Sequence, residues 1–288
     1  MHTLVRASRF TTLATLLASV MALAACVSME PPDRPQRKEY AYAATAAGEL
    51  IRFNAGQPSR VLSRVAVGGL DSGDRLVGID FRISRGVLFA LSARGRLYTL
   101  DTASGKLTAV GPGVALAAGD DAVGFDFNPV ADRIRVVTAA GRNLRLHPDS
   151  GALAAEDPAL RYADGDATAG TPARVGGAAY TYNKTDPKLT TNYAIDVARG
   201  TLLRQGSLEG VQPAVSPNSG LLATVGALGT GTVDDAAFDI ADVSNMALAA
   251  LRSGGVTRLH RVDLGTGKAT PLGRVADGQS LTGLAIEP

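Results

Sequence analysis

Tryptophan is absent from this 288-residue chain, cysteine occurs once and histidine three times. A single cysteine excludes an internal disulfide and any cysteine-based zinc cluster. With only His2, His147 and His260, a histidine-rich metal site is a poor expectation. No GxSxG nucleophile elbow, HExxH helix or GxxxxGK[ST] phosphate loop occurs, so the common hydrolytic, zinc-protease and nucleotide signatures are all missing. Charge of one sign is missing as well. The formal net charge is +2, and removing residues 1–25 deletes Arg6 and Arg9 and no acid, which leaves 27 basic against 27 acidic side chains. A near-neutral chain offers no electrostatic case for nucleic acid.

What is there points to short strands. Hydrophobic residues make up 45%, charged residues 19% and aromatics 5%, with 33 glycines. A sizeable core is therefore available, and frequent turns with few bulky residues suit an all-β chain better than long helices.

The first 25 residues stand apart. Met1 to Phe10 carries Arg6 and Arg9, and Thr11 to Ala25 is an apolar, small-residue run too short to span a bilayer comfortably, the pattern of a secretory signal peptide. It ends Leu23-Ala24-Ala25-Cys26, which resembles the bacterial lipobox, and the only cysteine of the chain sits in it. The resemblance implies cleavage before Cys26, acylation of that residue and attachment to a membrane without spanning it. Val27 in place of aspartate leans toward the outer membrane, facing the periplasm. Residues 26–39 then form a lipidated, charged and proline-rich tether, expected to be extended and solvated, and residues 40–288 a single domain.

That domain is organised around Ala122 to Gly151. Gly124-Phe125-Asp126-Phe127 reads as a strand closed by Asn128-Pro129, Arg133 to Thr138 as a second, and Asn143 to His147 as a third, ended by the turn residues Pro148-Asp149-Ser150-Gly151. Residues 76–105 lie on 122–151 without a gap at an offset of 46, with ten identities in thirty positions. Further copies begin at Gly177, Ala237 and Gly283, where the chain stops one strand into its unit. The missing strands are supplied by Tyr40 to Val67, so the ends are expected to share one sheet. The fold expected is a β-propeller of five four-stranded blades closed by the N- and C-terminal strands. The alternative is six blades, the extra one drawn from Val211 to Val233.

The paired phrases GIDFRISRGVLFALSARGRLYTLDTASG and GFDFNPVADRIRVVTAAGRNLRLHPDSG resemble the bacterial domain-of-unknown-function family 4394 over about Ala41 to Ile286. The resemblance implies a propeller-like fold and a secreted setting. It brings no activity and no catalytic residue.

Candidate site residues are those that break the repeat. Arg133, Arg135, Asn143 and Arg145 stand where the preceding copy has Val87, Phe89, Leu97 and Thr99. Their spacing of two along adjacent strands puts all four on one sheet face. Three guanidinium groups on a packed face require carboxylates, with Asp80, Asp126 and Asp132 as candidates, or else form an anion-binding patch. Asp80, Asp126 and Asp239 recur at one position. The plainer reading has them satisfying turn amides, and the sharper one has them converging on the channel as hydrolytic carboxylates. Asp101, Asp196 and Asp263 precede turn glycines by four residues and read as turn chemistry. Acid-rich loops at 119–121, 164–166 and 234–235 would suit calcium, without the full spacing of a calcium loop. His147 and His260 are expected at the surface. The function expected is a lipid-anchored envelope module binding a protein or a small anionic ligand, with a glycan or lactone hydrolase using channel carboxylates as the alternative.

Overall fold

A computed structural model describes residues 35–117, 120, 123–231 and 233–288. The leader, Cys26 and the start of the tether lie outside the described residues.

Alternating apolar residues and turn-forming Asn-Pro and Asp-x-x-x-Gly segments divide the chain into short strands in five sheets. The first blade combines β1 (Tyr40–Thr45), β2 (Glu49–Asn54) and β3 (Gln57–Ala66) with the chain's last strand. The second is β4 (Leu76–Arg82), β5 (Val87–Ser92), β6 (Leu97–Leu100) and β7 (Leu107–Val110). The third is β8 (Val123–Asn128), β9 (Arg133–Thr138), β10 (Asn143–Leu146) and β11 (Leu153–Asp157). A two-residue strand, β12 (Arg161–Tyr162), precedes the fourth blade, β13 (Val175–Tyr180), β14 (Asn192–Asp196), β15 (Thr201–Gln205) and β16 (Leu221–Ala227), and pairs parallel to its outer edge. The fifth is β17 (Asp235–Ile240), β18 (Ala247–Ser253), β19 (Val256–Val262) and β20 (Ala269–Arg274), and β21 (Leu281–Ile286) returns to the first. The segment that might have seeded a sixth blade is β16, the outer strand of the fourth.

The ring closes as the sequence predicts. β21 pairs antiparallel with β1, placing Leu284 opposite Ala43 and Ala285 opposite Tyr42. The Glu287 amide donates to the Tyr40 carbonyl at 2.8 Å. The inner strands β21, β4, β8, β13 and β17 each pack on the next around the axis.

Five strands fit around so narrow an axis because four of them carry glycine where the next strand approaches. A Cβ on Gly78 would stand 2.5 Å from the Phe125 Cβ, one on Gly124 2.5 Å from the Ala178 Cβ, one on Gly177 2.8 Å from the Phe238 Cβ, and one on Gly283 2.8 Å from the Ile79 amide. These contacts shrink the start of the channel to a cavity of ≈ 40 Å³, room for a few waters at most. Apolar clusters fill the spaces between blades, as in Phe89, Leu97, Phe125, Phe127 and Ile134 between the second and third.

The expected solvated tether is corrected at its near end. The Arg37 amide donates to the Asn54 Oδ1 at 2.9 Å and the Asn54 amide returns a bond to the Arg37 carbonyl at 2.8 Å, so residues from Arg37 onward lie against the first blade. The surface expectation for His260 fails too. It sits on β19, buried between two strands, with its Nδ1 3.0 Å from the Arg258 carbonyl, and burial lowers its pKa.

Candidate functional site

Two clusters of polar residues interrupt the apolar interior. The first is the channel triad. Asp80, Asp126 and Asp239 occupy the same place on β4, β8 and β17, all buried, with one carboxylate oxygen from each within 4.8 Å of the others. Their work is to tie neighbouring blades. Asp80 accepts the Phe81 amide of its own strand and the Phe127 amide of the next blade, both at 2.7 Å. Asp126 accepts the Tyr180 amide at 3.0 Å, and Asp239 accepts Ile240 and, across the closing seam, Ile286. The plainer sequence reading had the acceptor role right and the donors wrong: the amides belong to inner strands, not turns. Ala179 and Ala285 hold the equivalent positions in the remaining two blades.

Among the described residues no basic side chain figures in the main influences on the triad. Burial, then the Asp239 charge, push Asp80 well above the usual carboxylate range. Burial and then Asp80 do the same to Asp126. Asp239 is raised by burial to about 6. Beyond it, Asp242 is raised to about 7, first by burial and then by Asp239. The neighbouring Asp126 carboxyl acts on Asp239 in the opposite sense to burial, as do the Ile286 and Ile240 amides, each favouring its charged form. An oxygen-only donor set of this spacing suits a hard cation, although both oxygens of Asp80 and of Asp239 are already engaged by backbone amides.

Carboxylates of the acid-rich loops are engaged by protein donors. Asp166 accepts from Thr168 and Thr224, Asp164 pairs with Arg161, and Asp120 accepts the Ala117 amide beside Arg142. Gly119 and Asp121 lie outside the described residues. Asp101, Asp196 and Asp263 cap their turns as expected, each accepting amides two and three residues on.

The second cluster holds the arginines. In register, Arg145 lies opposite Arg135 and Asn143 opposite Val137, so the four residues share one face, turned toward the fourth blade. Arg135 is fully buried. Its guanidinium donates to the Tyr180 hydroxyl at 2.8 Å, to Asp157 at 3.0 Å, and to the side-chain oxygens of Asn143 and Asn218. Arg145 grips Asp157 with two bonds of 2.8 Å. Burial raises the Asp157 pKa, but hydrogen bonds from Arg145 and Arg135 outweigh it and hold the carboxyl below its ordinary value. Asn143 donates to the Pro158 carbonyl at 3.2 Å and receives a bond from Gln205.

The carboxylate partner is thus Asp157, on the outer strand β11 of the same blade, and not Asp80 or Asp126. Asp132 meets Arg133 through its backbone carbonyl at 2.9 Å. Its carboxylate goes to Arg82, which also pairs with Asp149. Arg82 was missed in the sequence because the repeat places Asn128 at its equivalent and so marks no charged position there.

Beside this cluster lies a pocket of ≈ 170 Å³ whose walls include Arg133, Arg135, Arg145, Tyr180 and Asn218. Arg135 and Arg145 pair with Asp157, and among the described residues the Arg133 side chain donates to the carbonyls of Ala131 and Asp132, its charge also acting on Asp149.

Residues 49–285 match the profile of a domain of unknown function, DUF4394, and the chain belongs to that family. No curated protein matches the chain. Among solved structures it is similar to a protein of unknown function from Bacteroides caccae, at 12% identity over 83% of this chain and 73% of that one, with a TM-score of 0.42. A putative 6-phosphogluconolactonase from Bacteroides uniformis aligns at 18% identity over 89% and 72%, TM-score 0.42. The glutaminyl cyclase of Myxococcus xanthus aligns at 13% identity over 79% and 97%, TM-score 0.46. At these scores the likenesses carry no functional argument.

Proposed function

We propose that this chain is a lipid-anchored binding module of the bacterial cell envelope, held through Cys26, on the outer membrane and facing the periplasm. Its ligand is a small anion received by the pocket between the third and fourth blades. The observation that carries the reading is the charge of that pocket: its lining holds Arg133, Arg135 and Arg145 and no carboxylate, and Asp157, behind it, pairs with two of the three. Guanidinium groups in such a setting favour carboxylate or phosphate oxygens through paired hydrogen bonds.

The hydrolytic alternative requires a glycan or lactone to reach Asp80, Asp126 and Asp239. The narrow start of the channel and the engagement of both oxygens of Asp80 and of Asp239 by backbone amides count against it.

A thermal-shift series with sulfate, phosphate, citrate and uronic acids tests the binding reading. At least one anion is expected to raise the melting temperature of the wild type and not that of Arg133→Ala, a residue whose loss removes no ion pair. Equal shifts in both proteins would refute the site. Loss of acyl mass and of membrane association in Cys26→Ala tests the anchor.

A further inference from the structure

The inner strands all end on one face of the ring, and that face carries most of the exposed apolar bulk. Among the described residues seven large hydrophobics are exposed. Five of them, Val130, Leu208, Val211, Val215 and Val243, lie in the β8–β9, β15–β16 and β17–β18 loops, with Val243 the most exposed at 62%. The loops form one surface. The Tyr182 amide donates to Asn245 and Asn245 returns the bond to Tyr182, which joins the β13–β14 loop to that of Val243. Glu209 accepts from Thr181 and Asn183, which joins the loop of Leu208 and Val211 to the same neighbour. A cavity of ≈ 320 Å³ lined by Ile83, Phe127, Pro129 and Tyr182 connects these to the second and third blades.

The chain also enters the ring here. Arg37 is bonded to Asn54, and the Ser244 hydroxyl, next to Val243, donates to Glu39 at 3.3 Å. Eight residues lie between Cys26 and Pro35, and a fully extended chain over those nine steps spans ~30 Å at most. An acyl chain on Cys26 would therefore hold the point where the chain enters this face within ~30 Å of a bilayer.

We propose that this face rests on the lipid surface, with Val243, Val211, Leu208 and Val130 entering the headgroup boundary. The proposal rests on the lipid-anchored reading above. Attraction is apolar: residues 35–39, 83–86, 129–133, 147–151, 181–191, 206–216 and 241–246 together contain six basic and six acidic side chains. Docking is consequently insensitive to salt and to anionic lipid, unlike a polybasic patch.

Because the chain has no tryptophan, a single introduced one reports its own surroundings. Val243→Trp and Ser253→Trp place the probe before and at the far end of the same strand, β18. In acylated protein on vesicles of phosphatidylethanolamine and phosphatidylglycerol (3:1), Val243→Trp is expected to shift to the blue and to be quenched by brominated lipid at low and high salt, and Ser253→Trp to do neither. Equal quenching of both probes, or of neither, overturns the proposal, as does a blue shift that appears without vesicles and grows with protein concentration, the mark of a second copy on this face. The unacylated Cys26→Ser chain keeps the two readings apart. Several-fold weaker but Val243-dependent quenching there supports the face by itself. Native protein recovered without acyl mass refutes the anchor, and vesicle binding by Cys26→Ser that survives Val243→Glu refutes the face.

Discussion

The second and third blades share a template at an offset of 46 residues and seal against their neighbours by opposite means. In the second, Phe89 meets Phe127 of the third edge-on, with ring centroids 5.2 Å apart, among Leu91, Leu97 and Phe125. In the third, the residue at that position is Arg135, and the space it fills toward the fourth blade is lined by Tyr180, Asn143, Asp157 and Asn218. One interface is dry and closed. The other is polar, bordered by a pocket, and held by bonds that each need a specific partner. A repeat protein can thus keep its backbone while handing one seam over to recognition, because the shared glycines and inner aspartates carry the ring and leave the outer positions free to diverge.

The comparison can be broken from either side. Arg135→Ala takes the guanidinium donor away from Tyr180, Asn143, Asn218 and one side of Asp157 in a buried space, and is expected to cost about 3–5 kcal/mol in urea unfolding. Phe89→Ala is expected to cost about the same through a cavity. The two should then part company on repair. Arg135→Phe with Asn143→Leu, which copies the second blade, leaves Arg145 paired with Asp157 and should recover most of the loss, with the anion response abolished. Failure of that pair to fold would show that the polar seam is required by the ring and not only by a ligand.

Smaller effects are expected at the axis. Gly124→Ala pushes a methyl group into Ala178 and should cost about 1–3 kcal/mol, measured by the same unfolding curves. The inner aspartates also set a pH dependence. Their folded pKa values are raised, so the native state binds more protons than the unfolded one. Their contribution is fully present below the ordinary carboxylate value of about 4 and is lost as pH rises through about 6 at Asp239 and about 7 at Asp242. Stability is expected to fall between pH 5 and 8 by an amount on the order of 2–3 kcal/mol, read as a falling melting temperature. Asp126→Asn, which keeps its oxygen for the Tyr180 amide and donates to Asp239, should flatten that slope. An unchanged profile in the variant would show that the triad is not its source. The smallest effect belongs to Arg133→Ala, within about 0.5 kcal/mol of wild type although the anion shift disappears.

Much of the fold was legible because its signals are local. Asn128-Pro129, Asp263 to Gly267 and the restart at Gly283 each state a turn or a strand in adjacent residues, and the closure of the ring follows from counting them. The site was legible in half. The break in the repeat at Arg133, Arg135, Asn143 and Arg145 fell on residues that the fold brings to one face beside a pocket. Asp157 went unnoticed because nothing along the chain says that an outer strand will supply the carboxylate. The aspartates' true donors were hidden for the same reason: Phe127, Tyr180 and Ile286 lie 47 or 54 residues away from them. His260 sits near a strand end in sequence, and only the neighbouring strand buries it.

The shared first blade carries a consequence for biosynthesis. Arg52 and Glu287, 235 positions apart, are bonded across its seam, so β1 to β3 emerge first and must wait for nearly the whole polypeptide before their fourth strand exists. Until then the β1 edge is an open template for any passing strand. Circularly permuting the gene so that β21 precedes β1 should shorten that wait, and refolding yield at high protein concentration should rise accordingly.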